Sequence, residues 1–270
     1  MENILRDDIL IEAVDVSIVF GGLCAVSNFS CEITRGELAG LIGPNGAGKT
    51  TLFNILSGIY SPTSGEINFW DRTGRVHRLG MLSPARLNRI GIARTFQNIR
   101  LFGNLSVEDN VRIALHEQRN SSALDALFRL PRFYNDEEIM TEKTSSLLAL
   151  FKIEDKKQML AKNLPYGDQR KLEIARALAS NPSLLLLDEP AAGMNPQETE
   201  ELMRLINVLR RSFNLTILLI EHDMHFVMGL CERLMVLDYG RMIANGLPQN
   251  IKRDPEVIKA YFGEAASASV

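Results

Sequence analysis

"LIGPNGAGKTTLFNILSGI", residues 41–59, sets glycines at 43, 46 and 48 directly after a short apolar run and follows them with one lysine and two threonines. A chain interrupts a buried strand in this way when its backbone must curl around a ligand. Glycine has no Cβ, so successive N–H groups can turn inward, and the next helix offers the positive end of its dipole to the same point. A phosphate suits such a cradle. Read as G-x-x-x-x-G-K-[ST], the loop runs through Gly43, Pro44, Asn45, Gly46, Ala47, Gly48, Lys49, Thr50 and Thr51. Lys49 is then placed to reach the terminal phosphates of a nucleotide, and Thr50 to ligate the magnesium that bridges them. A strand over 38–42 leads in, and an amphipathic helix carrying Leu52, Phe53, Ile55, Leu56 and Ile59 leads out.

The rest of the composition sets bounds. With 270 residues, 46% of them hydrophobic, the chain can bury one large core, or a core and a subdomain. A net charge of -3 gives no basic footprint for nucleic acid. Cys24, Cys31 and Cys231 form no C-x-x-C pair and leave one unmatched, which suits a reducing compartment and a role as small buried hydrophobes. Apolar runs such as "LTILLI" (215–220) are strand-sized, and "MENILRDDIL" (1–10) carries acids where a signal peptide needs a cationic start. The protein is therefore expected in the cytosol or on the inner face of a membrane.

Strand-like alternation over residues 9–43 predicts two or three strands before the loop, and "SPTSGEINFW" (61–70) a turn and another strand. From about 104 to 163 the pattern becomes helical. Within that block "SSALDALFRLPRFYN" (121–135) reads as a surface excursion in which Pro131 stops a helix. Strand and helix then alternate: a helix over "DQRKLEIARALAS", strand "SLLLLD", helix "PQETEELMRLINVLRRS", strand "TILLIE" and a further helix. Uniformly apolar strands between helices predict a parallel sheet covered on both faces. "RLMVLDYGRMIANG" predicts a hairpin turning at D-Y-G-R, and "GEAASASV" a frayed tail over 264–270.

"LLLLDEP" (184–190) ends an apolar strand in two acids, so that Asp188 can hold the magnesium hydration shell and Glu189 can polarise an attacking water. "ILLIEHD" brings His222 to the same carboxyl edge, where ligands bind in such sheets. Gln97, at the start of the helical block, is a candidate hinge and a magnesium or water contact. Phe20, before Gly21 and Gly22, is equally a core residue and a platform for adenine. "NLPYGDQRKLEIARAL" (163–178) places a Pro and a Gly before a helix whose amino terminus can meet an anion.

Taken in order, GPNGAGKTT, Gln97, a glycine-containing signature before DQRKLEIARAL, LLLLDEP, GMNP and EHD resemble the ATP-binding subunits of ABC transporters. "GIARTFQNIRLFGNLSVEDNV", "YGDQRKLEIARAL" and "LLLLDEPAAGMNPQET" look like the ATPases of branched-chain amino acid importers. The resemblance implies an α/β fold: a RecA-like P-loop NTPase core with an antiparallel β subdomain and an inserted α-helical subdomain. It implies one domain over 8–263, with 8–97 and 168–263 as core and β subdomain and about 98–167 as helical subdomain. ATP and Mg2+ are its implied cofactors. A second ABC ATPase subunit would face the first head to tail, each ATP lying between one subunit's phosphate loop and the other's signature. Transmembrane permease subunits are implied as further partners, with a solute-binding protein acting indirectly, at the cytoplasmic face of the membrane. Carried over by position, Phe20 matches the adenine-stacking aromatic, Gln97 the Q-loop, and 164–168 the signature with Tyr166, Gly167 and Asp168. Asp188 matches the magnesium acid, Glu189 the general base, His222 the switch histidine, and 193–196 the loop that crosses the dimer.

One position departs. The general signature reads Leu-Ser-Gly-Gly-Gln, whereas this chain reads Leu164, Pro165, Tyr166, Gly167, Asp168. Pro165 supplies neither a hydroxyl nor an N–H to a phosphate, leaving the Gly167 amide and the helix dipole. Transport ATPases for urea, short amides or a lipid cargo share every catalytic residue. A soluble ABC protein acting on ribosomes or DNA would carry two cassettes or a long coiled-coil insertion, and a GTPase switch an N-K-x-D motif; this sequence has none of these.

Overall fold

The computed structural model describes residues 8–116, 125, 128 and 130–262. In chain order its strands are β1 (Ile9–Phe20), β2 (Leu23–Thr34), β3 (Leu38–Ile42), β4 (Ser64–Trp70), β5 (Val76–Arg78), β6 (Ile92–Arg94), β7 (Leu184–Asp188), β8 (Thr216–Ile220), β9 (Arg233–Asp238) and β10 (Arg241–Gly246). Its α-helices are α1 (Lys49–Leu56), α2 (Pro84–Ile90), α3 (Val107–Leu115), α4 (Pro131–Leu150), α5 (Tyr166–Ala179), α6 (Pro196–Phe213), α7 (Met224–Leu230), α8 (Pro248–Ile251) and α9 (Pro255–Phe262).

Two sheets organise these elements. An antiparallel sheet runs β2-β1-β4-β5, and a six-stranded sheet runs β10-β9-β3-β8-β7-β6, parallel from β9 to β6. Only β10 is antiparallel there, folded back on β9 at Tyr239 and Gly240, both at positive φ (41° and 77°), as a two-residue hairpin turn requires.

Alternate residues of the central strands feed two separate cores. Leu184, Leu186, Leu218, Ile220, Met235 and Leu237 pack with α1 and the antiparallel sheet. Leu185, Leu187, Ile217, Leu219, Leu234 and Val236 pack on the other face, in a cluster that also takes in α3, α4, α5 and α6. Each strand is thus apolar on both sides, as a doubly covered parallel sheet demands. The helical elements share a continuous core with one face of the sheet.

The stretch 71–96, where periodicity assigns no element, holds β5, α2 and β6. The two strands are three residues long, too short for alternation to register. Pro131 opens α4, where a first-turn position loses no hydrogen bond when its N–H is missing; the helix expected to stop there lies mostly outside the described residues. α5 begins two residues before Asp168, with Pro165 as its N-cap. Seven of the fifteen residues of the expected excursion over 121–135 and all of the tail at 264–270 lie outside the described residues. Of the cysteines expected to be buried, Cys231 is, Cys31 is half-buried, and Cys24 is exposed because its strand end borders an open pocket.

Candidate nucleotide-binding site

The loop between β3 and α1 folds as its glycines require. Gly43 and Gly48 have φ of 148° and 102°, and a Cβ on either would lie 2.0 Å from Leu237 O or 2.4 Å from Ala25 O. Both positions therefore exclude any other residue. Gly48 is the N-cap of α1 and has no side chain to satisfy the first amides, so the free N–H groups of that turn remain available to an anion. Lys49 is buried, and its Nζ donates to the carbonyls of Gly43 at 2.6 Å and Pro44 at 2.8 Å. Burial pushes its ammonium below the ordinary lysine value, opposed by the charge of Glu189.

A pocket of about 580 Å³ opens over this loop. It brings together Phe20 from the end of β1, the loop residues Asn45, Gly46, Ala47, Gly48, Lys49, Thr50 and Thr51, then Gln97 and Glu189. Tyr239, Cys24 and Leu23 complete the rim. Phe20 is 42% exposed on the rim of the pocket, its ring in a T-shaped contact with Tyr60 at 5.1 Å, and is no core residue.

At the carboxyl end of β7 the two acids part. Asp188 is buried and its Oδ2 accepts from Arg94 at 2.8 Å. Glu189 turns outward with φ 47°, a left-handed conformation costly for a non-glycine residue; its N–H donates to Ile220 O at 2.9 Å. Its Oε2 accepts from Gln97 Nε2 at 2.9 Å, and Oε1 lies 3.8 Å from His222 Nδ1. Gln97, Lys49, Glu189 and His222 thus meet from four separate segments.

The signature residues are not in this pocket. Tyr166 packs on the loop at 193–196, where a Cβ on Gly193 would lie 3.1 Å from its ring. Gly167 faces Glu198, and the Asp168 carboxylate accepts from Lys156 Nζ at 2.6 Å with Lys171 Nζ at 3.7 Å. Within one chain these three meet protein neighbours only.

Besides Arg94, sequence reasoning missed three side chains here. Glu221, buried at the end of β8, accepts from the N–H groups of Ala191 and His222 at 2.9 and 3.1 Å; burial pushes its carboxyl upward. Arg170 and Glu173, almost wholly buried on α5, hold the Gln97 segment: Arg170 donates to the carbonyls of Phe96 and Gln97, and Glu173 Oε1 accepts from Phe96 and Arg100 N–H. An acid closing an otherwise apolar strand was the legible signal for Glu221.

Residues 26–192 match the family model described as ABC transporter, and residues 241–267 the one described as branched-chain amino acid ATP-binding cassette transporter. Over 246 residues the chain is 46% identical to the high-affinity branched-chain amino acid transport ATP-binding protein LivG of Salmonella typhimurium, covering 91% of this chain and 94% of that one. It is 41% identical to the corresponding protein BraF of Pseudomonas aeruginosa (95% and 98% covered) and 33% to the lipopolysaccharide export system ATP-binding protein LptB of Escherichia coli (93% and 96%). Among solved structures, the ADP conformation of MJ1267, an ATP-binding cassette of an ABC transporter, superposes with a TM-score of 0.80 at 29% identity, covering 95% and 99%.

Proposed function

The chain belongs to the ABC transporter ATP-binding family, and from that premise we propose that it is the ATP-hydrolysing subunit of an importer driving uptake of branched-chain or similar amino acids. The observation that carries the solute class is the match over 241–267, a carboxyl-terminal segment outside the hydrolytic residues.

In this reading Lys49 and the first amides of α1 bind the phosphates, and Phe20 supports the base. Glu189 accepts a proton from water as that water's oxygen bonds the terminal phosphorus and the bond to the departing diphosphate breaks. Gln97 holds one oxygen of Glu189 by a hydrogen bond, and His222 lies beside the other. Magnesium fits the donors here: the Thr50 hydroxyl, Asp188 and the Gln97 amide offer hard oxygens, and such an ion takes its remaining ligands from phosphate and water. Among the described residues no group of three or more His, Cys, Asp or Glu could hold a metal. Bound there, magnesium neutralises phosphate charge.

The signature of a second subunit, the same chain or a sister, closes the site through Tyr166, Gly167 and Asp168 of that subunit. Because the Asp168 side chain is tied to lysines, the donors offered are backbone amides at the start of α5. No helix among the described residues is long and apolar enough to cross a membrane. Attachment to the cytoplasmic face runs through permease subunits, with a solute-binding protein acting on those. A cleft of about 650 Å³ beside Gln97, lined by Leu101, Phe102, Ile113, Arg100 and Arg176, suits a short permease segment. The domain spans 8–263, divided at about 98 and 167, and nucleic acid has no part in it.

Uptake of labelled leucine by proteoliposomes holding this chain with its co-encoded permeases and solute-binding protein tests the reading. ATP-dependent uptake competed by isoleucine and valine, and not by urea or short amides, is the expected result. Uptake of urea in its place overturns the solute.

A further inference from the structure

Arg94, the last residue of β6, lies between the rings of Phe53 and Phe96, with its guanidinium carbon 5.7 and 5.1 Å from their centroids and its side chain 7% exposed. NH1 donates to Asn54 Oδ1 at 2.8 Å and Ser57 Oγ at 2.7 Å; NH2 donates to Asp188 Oδ2 at 2.8 Å. One cation therefore spans α1 and the end of β7.

The acceptors on α1 are not scattered. Thr50, Asn54 and Ser57 recur at i, i+4 and i+7, one stripe of a helix, so the guanidinium grips the face that carries Thr50 one turn nearer the phosphate loop. The grip on Asp188 is single. An arginine placed only to neutralise a carboxylate favours a forked contact with both oxygens. Here Oδ2 alone is taken, Oδ1 accepts no hydrogen bond among the described residues, and Arg94 Nε finds no acceptor among them either. A buried ion pair is weak evidence for stability, since apolar replacements often do as well. What this one provides is geometry: it fixes the rotamer of Asp188 and the spacing between the β7 and α1 donors.

We infer that Arg94 is a positioning residue, holding Asp188 by one oxygen so that the other, together with Thr50 on the clamped helix, is set for a divalent cation. The inference rests on the reading of Asp188 as the magnesium-side acid. Outer partners of metal-holding carboxylates are worth roughly 10- to 100-fold in metal affinity.

The test reads nucleotide binding, not turnover. In the full chain carrying Glu189→Gln, the affinity for a fluorescent ATP analogue is measured with saturating magnesium and with EDTA, and the ratio of the two is compared among variants. A merely structural arginine lowers both affinities and leaves their ratio alone. Arg94→Met is expected to reduce the ratio by about tenfold, and Arg94→Lys, which keeps the charge, to reduce it less. Should Arg94→Met not fold, Arg94→Gln retains a polar donor and carries the same expectation. A parental ratio in the neutral variants, while Asp188→Asn loses it, overturns the role of Arg94 alone. A parental ratio in Asp188→Asn overturns the reading of Asp188 and this inference with it.

Discussion

Gln97 Nε2 donates to Glu189 Oε2 at 2.9 Å, joining residues 92 apart in the chain. Gln97 sits where β6 hands over to the helical elements, and its own carbonyl is held by Arg170 of α5. A displacement of the helical elements therefore reaches the carboxylate by two hydrogen bonds. Glu189 is strained at φ 47°, and such strain persists only where surrounding bonds over-determine it.

Replacing that carboxylate separates binding from hydrolysis. Glu189→Gln keeps the shape and still accepts from Gln97, but cannot take a proton. ATP hydrolysis should fall by about a hundredfold or more, while nucleotide affinity with magnesium persists and ATP-bound dimers accumulate on gel filtration. Hydrolysis at the parental rate would remove Glu189 as the base.

Lys49 gives a pH signature. Burial depresses its pKa, so the ammonium loses its proton at a lower pH than an exposed lysine does. Only the charged form attracts phosphate, so ATP affinity should weaken as pH rises through that depressed value, and binding should take up protons there. Lys49→Arg, which stays protonated, should flatten the profile, and Lys49→Ala should lose sharp affinity at every pH. Titration calorimetry in two buffers of different ionisation enthalpy reads the proton uptake directly.

Why some of the site was legible and some was not follows from chain distance. The phosphate loop and the end of β7 are local: glycines before Lys49, and acids closing an apolar strand, announce themselves within ten residues. The alternation of β7, β8 and β9 between two cores is equally local. The pairing of Arg94 with Asp188 is not, because nothing in "GIARTFQ" says that its arginine meets a carboxylate on the neighbouring strand, 94 residues on. Arg170 and Glu173 were hidden differently. At i, i+3 in a charged helix nothing sets them apart from solvent-facing neighbours, whereas both are almost wholly buried against the Gln97 backbone.

Phe102 tests the permease cleft. It is 49% exposed, with Arg176 5.5 Å from its ring centroid, so a charge there need not enter the core. Phe102→Glu should leave the melting temperature of the isolated subunit within a few degrees of the parent and retain its basal ATPase. Solute-stimulated uptake in proteoliposomes should be lost. A collapse of folding instead would mean that Phe102 serves only to pack the helical elements.

Pro165 is the departure in the signature, and its place in the fold sharpens what replacing it should do. It is the N-cap of α5 with φ -53° and ψ 151°, makes no side-chain cap, and its carbonyl accepts from Gln169 N–H at 3.0 Å. Serine is suited to an N-cap: its hydroxyl oxygen can accept from the first-turn amides, worth about 1 kcal/mol, while its hydrogen remains free to donate outward. Pro165→Ser should thus raise the thermal stability of the isolated chain slightly, offset in part by the greater freedom of an unfolded chain without that proline. Across a dimer the freed hydrogen would add one charge-assisted bond to a terminal phosphate, about 1.5 to 3 kcal/mol at most. In the Glu189→Gln background this predicts ATP-driven dimerisation tighter by roughly tenfold for each 1.4 kcal/mol gained. The two readouts separate the two uses of the hydroxyl. Higher stability with unchanged dimerisation would mean that the serine only caps α5, and that the Gly167 amide already meets the phosphate.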